Sequence, residues 1–333
     1  MLIKTNYFDG IIVLVRLFDL EQGESVKLKL TILKILKFAA IDVGSNAVRL
    51  LFMNVIEEKQ DVVFRKSSLV RMPVRLGEDA FYGERVIGTE KVEKLMHTLA
   101  AFKHLLIVQD VVSYRACATS AMREAINSNQ VIKYIKDRTG ISIEVIDGQQ
   151  EAELVYSNRI VEMIDKEQSY LYVDVGGGST EMTLFSNRNV VSSESFNIGT
   201  IRFINGEVSS RELLRMKEYL EKIPKKYKPI EIIGSGGNIN KIFKLSGYRV
   251  GTAMKLNQLK NIFSYIESFT VEQRIHKLGF NPDRADVIIP ATKLFLNIMK
   301  WSDSKKVLIP KIGISDGIVH QLYNDYRNEK IAV

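Results

Sequence analysis

An apolar strand running into Asp-Val-Gly, then a small polar turn, then a second apolar strand, occurs twice in this chain, once in each half. The first copy is FAAIDVGSNAVRLLF, Phe38 to Phe52, and the second is LYVDVGGGSTEMTLF, Leu171 to Phe185. In the second copy Gly176, Gly177 and Gly178 precede Ser179 and Thr180. Consecutive glycines let the backbone take positive φ and approach a ligand, so that successive N–H groups face an anion. One such turn reads equally well as a hairpin with a solvated tip, because short glycine motifs also arise by chance. Two of them, with Asp42-Val43-Gly44-Ser45-Asn46 echoing Asp174-Val175-Gly176, predict duplicated α/β domains facing each other across a phosphate-sized cleft.

Asp174 and Glu181 bracket the second turn. Carboxylates beside phosphate repel it unless a cation or a water lies between, and Mg²⁺, which takes oxygen ligands and keeps several waters, is the candidate mediator. A third turn, IIGSGGN at Ile232 to Asn238, carries Gly236 and Gly237 and opens a predicted helix from Ile239 to Leu245. A helix N-terminus there favours anions through its dipole as well as its amides. Glu151 lies in DGQQEAELVY, Asp147 to Tyr156, at the start of a predicted helix. The macrodipole alone accounts for an acid in that position, whereas a carboxylate at the mouth of a phosphate cleft also suits a general base. Arg123, in ATSAMREA after the strand Val111 to Ala116, stands where α/β folds place ligands, with a solvated helix arginine as the alternative. Arg75 precedes the Gly77 turn in MPVRLGEDAF.

At 333 residues the chain exceeds the size at which one core stops growing, which predicts two domains. The formal charge of +8 attracts polyanions, but the basic residues are spread along the chain, which argues against a nucleic-acid-binding tail. A single cysteine, Cys117, excludes an intrachain disulfide and points to a reducing cytoplasm; its apolar strand neighbours favour a structural thiol. His97, His104, His276 and His320 show no zinc-ligand spacing. Ile11 to Val15 is too short to span a membrane.

Three meandering strands followed by alternating helices and strands appear in each half. The expected division is an extension over residues 1–37, a first domain over 38–155 and a second over 156–333, with the helix Glu151 to Ile164 as the hinge. The extension reads as a leading strand or as a disordered arm upstream of a misassigned start, and the arm is preferred.

The ordered blocks AIDVGSN, VRLGE, ATSAMREA, GQQEAELVY, VDVGGGSTE, GSGGN and RADVIIPA closely resemble the exopolyphosphatase and guanosine pentaphosphate phosphatase family of the actin and sugar-kinase superfamily, from Phe38 to about Tyr323. The resemblance implies two actin-like, ribonuclease H-like domains and hydrolytic release of the terminal phosphate from polyphosphate or pppGpp. It implies Glu151 as catalytic base with Arg123 beside it, and Asp42, Asp174 and Glu181 as carboxylates linked to a divalent metal. Phosphate contacts are implied at Gly44, Ser45, Asn46, Gly176 to Ser179, Gly236, Gly237, Arg75 and Arg284. The expected partners are the substrate and a second copy in a homodimer, with no specific nucleic acid and no membrane. This chain departs from the family pattern at Gln149, Gln150 and Glu153 around the base and at Ser315-Asp316-Gly317, where Arg-Glu-Gly is usual. It resembles the short form without an extra helical C-terminal domain. Two rival readings stay open: a kinase of the same superfamily, and a non-catalytic protein that binds pppGpp or ppGpp.

Overall fold

The computed structural model describes residues 7–8, 11–18, 27–58, 61–157, 165–249 and 251–331. Its strands are β1 (Tyr7–Phe8), β2 (Ile11–Phe18), β3 (Lys27–Val43), β4 (Val48–Glu58), β5 (Asp61–Met72), β6 (Ser113–Ala118), β7 (Ile143–Val145), β8 (Ser169–Val175), β9 (Thr180–Ser186), β10 (Asn189–Phe196), β11 (Ile230–Ser235), β12 (Met254–Lys255) and β13 (Lys306–Leu308). In the first sheet β3, β4 and β5 form an antiparallel meander, β6 joins parallel to β3, and β7 parallel to β6. In the second, β8, β9 and β10 meander, β11 joins parallel to β8, and β13 parallel to β11. The order is the same in both, so the duplication visible around the two turns extends to whole sheets, and the actin-like α/β architecture expected from the sequence is the one observed.

Register carries the equivalence down to single residues. Val43 pairs with Val48 and Val175 with Thr180, which leaves four-residue turns of equal length, Gly44–Ala47 and Gly176–Ser179. Phe38–Val43 of β3 and Ser169–Val173 of β8 are buried on two faces, which explains their continuous apolar run. Ala39, Ile41 and Val43 enter one core while Phe38 and Ala40 enter another. Leu171, Val173 and Val175 likewise divide from Tyr170 and Tyr172.

Two findings depart from the expected division. Within the extension, residues 7–8, 11–18 and 27–37 lie in strands, where a disordered arm was preferred; the Lys-Leu alternation from Lys27 to Leu30 is a strand pattern that lengthens β3 upstream, and β2 pairs with that added half. The rest of residues 1–37 lies outside the described residues, as do residues 158–164 of the expected hinge helix, whose described part is Gly148–Ser157. The final helix, Ile314–Ile331, packs back on the first sheet, with Ile318, Val319 and Tyr323 in one core with Phe38, Ala40 and Cys117. That packing crosses the division expected at residue 155, since an apolar helix face joins whichever uncovered sheet face lies within reach.

The segment Pro282 to Trp301 forms two helices, Pro282–Ala285 and Ile288–Trp301. Pro290 has no N–H and is tolerated only in a first turn, so the helix restarts just before it. After β10 the chain turns at Gly199 into a short helix, Thr200–Ile204.

Candidate active site

The three glycine turns lie at the carboxyl ends of β3, β8 and β11 and meet around one cavity of about 310 Å³. The first two are built alike: the Gly44 N–H donates to the Ala47 carbonyl at 3.2 Å, and the Gly176 N–H to the Ser179 carbonyl at 2.9 Å. They also touch across the cleft. A Cβ placed on Gly177 would stand 2.9 Å from Ser45 Cβ and 3.3 Å from the Asn46 nitrogen, so glycine there permits the two turns to close on one another. Gly236 takes a φ of +109°, and a Cβ on it would meet the Val175 carbonyl at 2.9 Å.

The copies differ in charge at one register position. Arg49 stands opposite Asp42 in the first and donates to its Oδ2 at 2.6 Å; Glu181 stands opposite Asp174 in the second. The first pair is neutral and the second doubly acidic. Burial, with Asp42 nearby, pushes Asp174 up to about 6 against the pull of Arg49. Burial and Asp174 push Glu181 up to about 7. Asp174 accepts from the Ser235 hydroxyl at 3.2 Å and Glu181 from the Ser195 hydroxyl at 3.3 Å. Among the described residues no ion pair reaches either carboxylate.

Glu151 is 2 % exposed and lines the same cavity. Burial, then the Glu181 charge, raises it well above the usual carboxylate range. Arg123 opposes that rise: its Nη1 donates to Glu151 Oε1 at 2.9 Å and to the Ile146 carbonyl at 2.6 Å. Two buried carboxylates, Glu151 and Glu181, and the half-buried Asp174 therefore line the cavity together.

The same cavity is also lined by five basic residues, Arg49, Arg71, Arg284, Lys66 and Lys311. Arg284 donates to the Gly237 carbonyl at 3.0 Å, and burial, together with Arg71 and Arg49, lowers its guanidinium to about 10. Arg71 reaches across the cleft to Asp283, and its Nε is buried without a hydrogen-bond partner. Lys66 donates to the Lys311 carbonyl at 2.7 Å and to Asp316 at 2.9 Å.

The donor chemistry suits a hard divalent ion at Asp174 and Glu181, two adjacent carboxylates carrying more negative charge than their surroundings balance. It does not suit one at Asp42, which Arg49 already neutralises and which is outside the cavity wall. Among the described residues no group of three His, Cys, Asp or Glu side chains is gathered tightly enough to hold a metal by itself, so phosphate oxygens and water would complete the shell.

Most expected site residues gather here: Gly44, Ser45, Asn46, Gly176, Gly177, Ser179, Gly236, Gly237, Arg284, Glu151, Asp174 and Glu181 line the cavity. Others do not. Arg123 stands behind Glu151. Gly178 is packed away from the space, where a Cβ would lie 2.1 Å from Phe81 Cζ. Arg75, expected at the phosphates, pairs with Asp286 at 2.8 Å and Glu78 at 2.5 Å instead. Arg49, Arg71, Lys66 and Lys311 were not read from the sequence. For Arg49 a signal existed, since a four-residue turn puts it opposite Asp42; Arg71 and Lys66 lie on an edge strand whose place at the cleft depends on the other lobe.

The Ppx/GppA phosphatase family matches residues 55–325 of the chain. The chain belongs to that family. Among curated Ppx/GppA relatives, exopolyphosphatase 2 of Mycobacterium tuberculosis is 27% identical over 321 residues, covering 86% of this chain and 98% of its own length. A bifunctional 3-dehydroquinate synthase/phosphatase of Fusobacterium nucleatum is 24% identical over 298 residues, covering 81% of this chain; the chain spans only 44% of that longer protein. The crystal structure of an exopolyphosphatase from Cytophaga hutchinsonii superposes with a TM-score of 0.74 at 23% identity, over 87% of this chain and 98% of that one, which shows the Ppx/GppA fold.

Proposed function

We propose that this Ppx/GppA phosphatase releases the terminal phosphate of inorganic polyphosphate or pppGpp by in-line attack of water, with Glu151 as the base. The observation that carries this reading is a buried carboxylate, steadied by Arg123, on the wall of a cavity otherwise built from glycine turns and arginines. Phosphoryl transfer asks mainly for positioning and charge neutralisation. The turns offer backbone amides to the terminal phosphoryl group. Arg49, Arg71 and Arg284 offset the charge of the phosphates that follow.

Glu151 takes the proton of the attacking water. Its raised pKa suits that task, because a base titrating nearer neutrality gains more in proton transfer than one near the usual carboxylate value. Arg123 holds the carboxylate from outside the cavity. A Mg²⁺ ion on Asp174 and Glu181 would neutralise charge on the transferring group when bound.

The test is phosphate release measured side by side on long polyphosphate, tripolyphosphate and pppGpp, with and without Mg²⁺ and with no added acceptor. Glu151→Gln is expected to lower turnover by roughly two to four orders of magnitude while tripolyphosphate binding persists. Wild-type turnover in that variant would remove Glu151 from the chemistry. Phosphate appearing only on an added alcohol would mark a kinase, and tight pppGpp binding without turnover a sensor.

A further inference from the structure

Arg202 contributes nothing to the cavity wall, yet it is 7 % exposed and holds the second glycine turn from behind. Its Nε donates to the Gly178 carbonyl at 2.6 Å, its Nη2 to Glu124, and its guanidinium stacks over Phe81 with the ring centroid 4.0 Å away. Gly178 belongs to the second lobe, whereas Glu124 and Phe81 belong to the first.

The short helix Thr200–Ile204 fastens the neighbouring carbonyls in the same way. The Thr200 N–H donates to the Gly176 carbonyl at 3.0 Å and the Ile201 N–H to the Gly177 carbonyl at 2.8 Å. In a trans peptide the C=O of one residue and the N–H of the next point in opposite directions. Three carbonyls tied backward therefore turn the N–H groups of Gly177, Gly178 and Ser179 away from that helix, and Gly177 and Ser179 line the cavity. Backbone donors fasten the first two peptides. A side chain fastens the third.

We propose that Arg202 is a positioning residue which, anchored by Glu124, fixes the Gly178–Ser179 peptide so that the Ser179 N–H faces the phosphate; this rests on the phosphohydrolase reading above. The anchor is shared with the rest of the site. Glu124 closes the five-residue helix Ser120–Glu124, in which Ser120 Oγ lies 2.9 Å from Ser45 Oγ of the first turn and Arg123 holds Glu151. One short helix thus registers the first turn, the base and, through Arg202, the second turn.

The test compares wild type with Arg202→Gln, Arg202→Lys, Glu124→Gln and the double variant Glu124→Gln/Arg202→Gln, all confirmed folded by circular dichroism. Steady-state kinetics on tripolyphosphate and amide hydrogen exchange over Gly176–Ser179 are the readouts. Arg202→Gln is expected to lower kcat roughly 10- to 100-fold, the scale of a misplaced catalytic contact, with a much smaller change in KM. Arg202→Lys, which keeps a donor but not the fork, falls between. The double variant is expected to be no worse than Arg202→Gln, since the two side chains act as one clamp. Exchange should quicken at the turn while β8 and β11 keep their protection. Unchanged kcat with unchanged exchange overturns the inference, as does exchange quickening throughout the second sheet with activity lost only in step. Should Arg202→Gln not fold, Glu124→Gln, which removes only the anchor, decides by the same two readouts. A wild-type chain releasing no phosphate overturns the activity reading, and the exchange data then judge the clamp alone.

Discussion

Two adjacent glycines in the second turn do different jobs, and substitution separates them. Alanine at Gly177 meets Ser45 across the cleft, so Gly177→Ala is expected to wedge the turns apart, lowering phosphate release and tripolyphosphate affinity with little change in melting temperature. Alanine at Gly178 meets the Phe81 ring at 2.1 Å and Ser120 Oγ at 2.5 Å inside the packed junction of the lobes. Gly178→Ala is therefore expected to cost about 1–3 kcal/mol, the usual range for overpacking, measured by chemical denaturation. Equal loss of stability in the two would refute the distinction. The sequence showed that this stretch required glycine. It could not assign the reasons, because both clashing partners come from elsewhere in the chain. The two aspartates teach the same lesson: Asp42 and Asp174 occupy equivalent places, and only their cross-strand partners, Arg49 and Glu181, make one neutral and the other suited to a cation.

At the scale of elements, periodicity and caps did most of the work. The helix Thr89–Val108 starts after Gly88 with no side-chain cap, whereas the helix Val271–His276 is opened by a capping box in which Thr270 Oγ1 accepts from the Gln273 N–H at 3.2 Å while the Gln273 side chain accepts from the Thr270 N–H at 3.1 Å. Thr270→Ala is expected to lower stability by about 1 kcal/mol without altering turnover on any phosphate substrate, because the box is exposed and remote from the cavity. A change in kcat would mean that this helix touches function. The segment Pro282 to Trp301 breaks around Asp286, because Pro290 has no N–H to bond back to that residue's carbonyl, and the Asp286 carboxylate pairs with Arg75 of the other lobe.

The whole molecule holds buried negative charge that the cleft does not balance, and its stability must reflect this. Asp174 rises from 3.8 to about 6 and Glu181 from 4.5 to about 7 on folding, so the native state binds protons more tightly than the unfolded chain. Stability from these groups is fully present below their unfolded values and is lost as pH rises through about 6 and then about 7. The ligand-free protein is expected to melt at a higher temperature near about pH 5 than near about pH 7.5, a difference that Asp174→Asn should reduce and that Mg²⁺ with tripolyphosphate should offset. A melting temperature that climbed over this interval would contradict the assignment.

Sequence by itself determined what is local or repeated in this chain: glycine turns after apolar strands, and two copies of one strand order. Only the tertiary structure decided how the copies meet. Arg71 joins the cavity from an edge strand, Arg75 leaves it for Asp286, Arg202 reaches Glu124, and the last helix covers the first sheet. The reason is range: backbone preference and periodicity act over a few residues and are written consecutively, whereas ion pairing and close packing depend on groups brought together from distant parts of the chain.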